Sequence, residues 1–537
     1  MTVAQDYSQD VINLFSRELA GLIPAYHIKS RPDGSFLVIE FAHPNERIYQ
    51  MANRINASLS DDHAFKDRIS VAARKNKPNN VLEMLETGLL QRELTASLTV
   101  DKNTFGDNFL ERYMPSVTNL EKQIVVSANH MVYGRRGSGK SSLLAYAMHH
   151  LRKQQQEYVW IAMQTYSGRF DKQAIASILS DIFTQAAQRS KNPIEMEAVA
   201  SELSVLGEQD DDSIVDKRLS RMTPRLRKLL GNIPEYTGGL TIFLDDLHVL
   251  DHALQPQLLS VIYSLSRGNK IFIKASGIEQ LTNLWDGRTR TGLESPHDVQ
   301  ILKLDHNLTA PDQSKEHIKN ILDKHAQHCG LPDIHYIASE EFVNRLVLAA
   351  AAVPRDALSL FSQSISRSFL RKQKAVSVTS LNGATAEAVE EKLKDMQSDS
   401  SKSDQTGLTK RLEAVKHFCL DVQKSNAFLV KIENAKIEYQ NIQKLVALRF
   451  VHVLHEGTTP RTAGERFVAL MLDYGFYIGI RAAKSITLFP SEPRALAAKD
   501  LRKLKILTEK PDAKSPVKQP KKREKKASPP KSNAHPI

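Results

Sequence analysis

Cysteine is almost missing: Cys329 and Cys419 are the only two among 537 residues. They lie far apart and match no metal-ligating or redox spacing, which argues against a disulfide framework and leaves buried thiols in a reducing compartment as the simplest reading. Long apolar runs are missing too. The strongest, LVLAAAAV at 346–353, is far short of the roughly 20 residues that span a bilayer. The opening MTVAQDYSQD lacks the basic-then-apolar order of a secretory signal. A cytoplasmic protein without a membrane partner is expected. No Ser/His/Asp arrangement stands out, nor any nuclease, protease or deaminase motif. The histidines are scattered: His149 and His150 are adjacent, and His325 and His328 precede Cys329 at helical spacing, too few ligands for zinc.

Most of the chain also lacks excess charge. The formal net charge is +12, but residues 499–537 carry 13 Lys and Arg against 4 Asp and Glu, or +9. Only +3 remains for the other 498 residues, so the basic balance belongs to the tail and does not make the body a nucleic-acid binder.

What is present is order along the chain. Asp6–Leu22 has helical periodicity, AYHIKSR–PDG–SFLVIEF reads as a hairpin turning at Pro32–Gly34, and helices are expected to about residue 95. From residue 104 strands alternate with helices. NHMVY (129–133), EYVWIAM (157–163), LTIFLDD (240–246) and KIFIKAS (270–276) are the strand candidates, and the alternation implies a parallel sheet covered on both faces. Residues 311–372 read as helical. The stretch 381–407 ends in Ser, Asp and Lys like a linker.

Residues 134–142 read GRRGSGKSS and fit G-x-x-x-x-G-K-[ST]. Gly134, Gly137 and Gly139 let the backbone turn tightly, and with Arg135, Arg136, Ser138 and Ser142 they line the turn. The following helix adds its positive end. Lys140 faces the β- and γ-phosphates of a nucleotide, and the Ser141 hydroxyl suits Mg²⁺. The required context is there, a strand before and a helix after. LTIFLDD ends a buried strand in two acids: Asp245 is placed to serve the Mg²⁺ shell, and Asp246 to orient water. The alternative for the acids is a helix cap.

These segments resemble AAA+ ATPases, especially the origin-recognition-like and STAND branches, over about residues 104–500. The resemblance implies an α/β class: a P-loop AAA+ parallel sheet with a helical lid. A small N-terminal α+β unit precedes it and a C-terminal winged-helix-like domain follows. It implies ATP and Mg²⁺ as ligands, Ser276 after KIFIKAS as the γ-phosphate sensor, and Arg355 of VPRDALSLF as the lid arginine. A surface arginine opening a helix after Pro354 is the other reading of Arg355. Departures are the second acid, Asp rather than Glu, which suggests slow hydrolysis, and the 105-residue gap from Lys140 to Asp245. The excess falls in 190–236, where charge blocks alternate: a helical insertion that contacts partners is one reading, and a solvated charged surface is the favoured one. Arg288 and Arg290 of WDGRTRTG lie where such proteins place a trans-acting arginine, or in a merely flexible basic loop. The segment 448–480 carries the winged-helix resemblance.

The expected division is 1–103, 104–308 (ATPase base), 309–375 (lid), 376–407 (connecting helix and linker), 408–508 (winged helix) and 509–537, a disordered basic tail. The expected protein is a slow ATP-dependent switch controlling assembly on DNA or a partner, self-associating through the ATPase module. Duplex DNA and a separate effector protein are candidate partners. The alternative is a STAND-type scaffold that oligomerises with ATP and binds protein only. For the tail, phosphate attraction, simple solubilisation and nuclear import stay open.

Overall fold

The computed structural model describes residues 2–99, 109–304, 308–399, 402–458, 465–478 and 486–507, apart from 33, 170 and 210. The tail expected to be disordered lies outside the described residues. In the N-terminal unit, β1 (Ala25–Arg31) pairs antiparallel with β2 (Gly34–Phe41), as the hairpin pattern predicts. Leu37, Ile39 and Phe41 pack under the helices Thr2–Glu18 and Glu46–Ser58. A further strand, β3 (Ile69–Ala73), runs parallel to β2 in place of the expected helix.

The central sheet explains the strand-helix alternation. It comprises β4 (His130–Tyr133), β5 (Glu157–Ala162), β6 (Leu240–Asp245), β7 (Ile271–Gly277) and β10 (Gln300–Lys303). Between the last two, β8 (Trp285–Asp286) and β9 (Thr291–Gly292) form a small hairpin. The order is β10-β4-β7-β6-β5, parallel throughout. Successive side chains of a strand face opposite ways, and both faces here are dry. Val132, Trp160 and Phe243 pack against Leu144 and Met148 of the helix Lys140–Lys153. Met131, Ile161, Ile242 and Leu244 pack on the other side with Ile178, Ile182 and Leu258. Burying one such side chain contributes about 1.5–3 kcal/mol, so a strand like LTIFL has no polar face to spare. Strand β10 is an unexpected addition: four residues, with Ile301 exposed, leave little pattern to read.

Three other segments differ from expectation. The 190–236 insertion forms the helices Pro193–Leu206 and Asp212–Thr237, whose Met196, Val199, Leu203, Leu226, Leu230 and Ile233 join the core of the base. Its charge blocks are the outer side of an amphipathic pair rather than a fully solvated surface. The expected connecting helix is Val378–Asp399, but the linker expected after it is mostly helix too: Lys402–His417 follows two residues outside the described set. Leu381, Ala384, Val389 and Met396 are buried along the first of these helices at helical spacing. The winged-helix-like domain has β11 (Ala427–Lys431), β12 (Val451–Thr458) and β13 (Phe467–Leu472) in the order β11-β13-β12, all antiparallel. A single helix, Ile437–Ala447, stands between the first two strands. The described part of 448–480 therefore holds the strands β12 and β13, and the helix Ile437–Ala447 precedes it.

Lys274 is an oddity of the sheet: a lysine side chain buried in β7. Its Nζ lies 2.9 Å from Val126 O, 3.4 Å from Ala128 O and 3.2 Å from His130 Nδ1. Burial lowers its pKa from the ordinary 10.5 to about 7. The unfolded lysine keeps its proton to higher pH than the folded one, so between these values the unfolded state binds more protons and stability rises with pH. Each tenfold change in proton affinity is worth about 1.4 kcal/mol. Lys274→Met should flatten the rise in urea midpoint between about pH 7 and pH 10; parallel profiles for the two proteins would mean that Lys274 titrates normally.

Candidate nucleotide-binding site

Strand β4 is fully buried and delivers the chain into GRRGSGKSS at the carboxyl end of the sheet, where ligands of open parallel sheets bind. The loop turns left-handed at Gly137 and Gly139, with φ of +84° and +94°. Gly137 is constrained twice, because a Cβ there would stand 2.8 Å from the Cβ of Arg355. The helix Lys140–Lys153 then points its amino end into a cavity of about 760 Å³.

Lys140 is buried, with Nζ 3.2 Å from the Arg135 carbonyl and 4.0 Å from Asp246 Oδ1. Burial lowers its pKa, while Asp246 and Asp245 act in the other direction. Asp245 ends β6 and accepts hydrogen bonds from Ser276 Oγ at 2.6 Å and Ser141 Oγ at 3.1 Å. Burial, then the neighbouring Asp246 charge, raises its pKa against those two hydroxyls. Ser276 Oγ also accepts from Asp246 N at 2.9 Å. One hydroxyl thus links the ends of β6 and β7 and steadies the left-handed backbone of Asp246, at φ 60° and ψ 45°. Asp and Asn enter that region far more readily than Glu, a local reason for the short second acid.

The sequence reading missed the rest of the Asp246 setting. Gln164 Nε2 donates to Asp246 Oδ2 at 3.2 Å, and His248 Nδ1 lies 3.8 Å from Oδ1. Burial lowers the His248 pKa to about 4, against the pull of Asp246, so the ring is neutral at pH 7. Gln164 follows β5 by two positions; a polar residue at the carboxyl end of a parallel strand was the signal available.

Other lining residues were also unread. Tyr113, Leu304, His317, Ile321 and Leu358 stand around the cavity, a largely apolar set suited to a planar base. Ala96, Ser97 and Leu98 of the N-terminal unit line it as well. Glu93 of that unit pairs with Arg112 and lies 3.4 Å from His325 Nδ1. Burial opposes its charge, but His325 and Arg112 hold it well below the usual carboxylate range. His328, the other half of that histidine pair, has its Nε2 3.0 Å from Arg47.

Arg355 lies in the first turn of the lid helix Pro354–Leu370 and lines the same cavity. Its backbone N donates to the Gly137 carbonyl at 3.2 Å. The approach is set by a buried turn in which Ala351 and Ala352 both take positive φ, 48° and 61°. Each costs about 1 kcal/mol or more relative to right-handed backbone. The structure thus brings together Lys140, Ser141, Asp245, Asp246, Ser276 and Arg355. Arg136, Ser138 and Ser142 line the cavity too. Arg288 and Arg290 stand exposed at the tip of the β8–β9 hairpin and do not line it.

The residues fit a Mg²⁺-nucleotide. Ser138 Oγ is buried with no hydrogen-bond partner among the described residues. A hydroxyl and a carboxylate, Ser141 and Asp245, offer hard oxygen donors side by side.

The family described as AAA ATPase domain matches residues 117–273. No curated protein matches the chain. Among solved structures, the Aeropyrum pernix ORC1 protein in complex with DNA is 13% identical; it covers 73% of this chain and 94% of its own, with a TM-score of 0.38. Drosophila ORC bound to DNA is 13% identical, covering 80% and 97%, with a TM-score of 0.34. The Walker-type ATPase of Pyrococcus abyssi is 11% identical, covering 77% and 98%, with a TM-score of 0.38. Over residues 117–273, which hold the loop and the strands β4, β5 and β6, the chain is similar to AAA ATPase domains.

Proposed function

We propose that the protein is a slow, ATP-driven conformational switch whose winged-helix-like domain and basic tail act on duplex DNA. The observation that carries the reading is the closure of the lid onto the loop, with Arg355 N on Gly137 O directly beside the Ser141–Asp245–Ser276 set. Lys140 and the loop N–H groups bind the β- and γ-phosphates, and Arg355 meets the γ-phosphate only with the lid closed. Ser141 and Asp245 would hold Mg²⁺, which supplies charge neutralisation between those phosphates when bound. Asp246, steadied by Gln164 and Ser276, orients the attacking water. The energy of switching is the difference in γ-phosphate contacts between the closed and open lid. Arg288 and Arg290 are exposed where a neighbouring copy could receive them, which suits assembly through the ATPase module.

ATPase rate and particle mass with and without duplex DNA test the output. The tail should contribute through counterion release. Deleting 509–537 should weaken binding to all duplexes alike and lower the slope of log affinity against log salt by about 0.9 per lost phosphate contact, leaving DNA-free hydrolysis intact. No DNA affinity at low salt with ATP present would sink the DNA output. One feature favours the protein-scaffold alternative: the helix Ile437–Ala447 carries Lys444 as its one basic residue and exposes Ile437 at 57%. ATP-dependent growth in mass without DNA would support that reading.

A further inference from the structure

The lid helix touches two domains through adjacent residues. Arg355 faces the loop, and the next residue, Asp356, faces away from it into the winged-helix-like domain. There Nη1 of Arg449 donates to both carboxylate oxygens of Asp356, at 2.5 and 2.7 Å. The two side chains are 18% and 19% exposed, so this is a shielded, charge-assisted pair rather than a loose surface contact. Arg449 has little freedom of its own. It sits between the helix Ile437–Ala447 and β12, with a left-handed φ of 65°. Behind it the domain is tied to the connecting helix, where buried Asp473 accepts from Lys392 at 3.0 Å and lies 2.9 Å from His452 Nε2. Burial disfavours protonation of His452 against the pull of Asp473, and the charges of Lys392 and of the loop's own Arg135 add to that effect.

We propose that Arg449 is a positioning residue for nucleotide sensing: its grip on Asp356 fixes the first lid turn so that Arg355 points into the phosphate end of the cavity. The winged-helix-like domain is thereby part of the sensor as well as its output. By linkage, whatever displaces the helix Ile437–Ala447 changes ATP affinity by the factor that ATP changes its own binding. This rests on the reading of Arg355 as the γ-phosphate contact.

The test is titration of the full chain with ADP and with ATPγS, in the wild type and in Arg355→Ala, Arg449→Ala and Arg449→Lys. Arg449→Ala should weaken ATPγS about tenfold while ADP stays within about twofold, a coupling of ordinary size. Arg449→Lys keeps the charge but aims its donor from a shorter, rotatable stem in place of the planar guanidinium, and should fall between. A domain loosened in a merely structural way would weaken both nucleotides alike, and that result overturns the proposal. So does an unchanged ratio in Arg449→Ala when Arg355→Ala shifts it, which leaves the functional reading standing. An unchanged ratio in Arg355→Ala removes that reading and this inference together.

Discussion

Lys140→Ala should lower ATP affinity by about a hundredfold or more, because a charge-assisted contact to phosphate and its supporting geometry go at once. The side chain is desolvated before nucleotide arrives, resting on the Arg135 carbonyl and near Asp246. Its charge is therefore poorly satisfied without phosphate, and a nucleotide gains more from it than from a solvated lysine. The fold should tolerate the loss, since Leu143, Leu144 and Met148 anchor the same helix to the sheet. Calorimetric titration with ATP and Mg²⁺ reads the effect. Binding within a few-fold of the parent would show that the cavity holds something other than a nucleotide polyphosphate.

Asp246→Asn should bind ATP nearly as the parent does and hydrolyse it about a hundredfold more slowly, the usual scale for removing a group that handles the proton of water. Asparagine accepts the left-handed backbone at this position, so the change is chemical and not conformational. Alanine is a poorer probe, because about 1 kcal/mol of backbone strain would be mixed into the result. Single-turnover hydrolysis with prebound ATP separates chemistry from binding. Unchanged turnover would remove Asp246 from the reaction and leave it as the anchor of Gln164 and a neighbour of Lys140.

The parts of the site that were legible in the sequence are those whose constraints are local. The loop and the ends of β6 and β7 each compress chemistry and backbone geometry into a few consecutive residues, so GRRGSGKSS, LTIFLDD and KIFIKAS could be read directly. Arg355 was named through the resemblance of VPRDALSLF to a lid motif, since Pro354 alone marks only a helix start; its contact with Gly137 depends on the buried Ala351–Ala352 turn, which looks like an ordinary apolar run. Gln164, His248 and Tyr113 come from segments with no pattern of their own and acquire meaning only when the sheet gathers them. The same holds for the fold. Strands β3 and β10 are five and four residues long at sheet edges, where neither alternation nor a continuous apolar run develops. The connecting helix Val378–Asp399 was legible, whereas the start of the helix Lys402–His417 was obscured by its Ser/Asp/Lys composition.

Ala96, Ser97 and Leu98 of the N-terminal unit stand in the cavity wall, and Glu93 holds Arg112 and His325, which stand in it too. The wall therefore belongs to two packing problems at once: a shift of this unit, which lies outside the central sheet and exposes strand β1, displaces residues at the cavity without any contact with the loop.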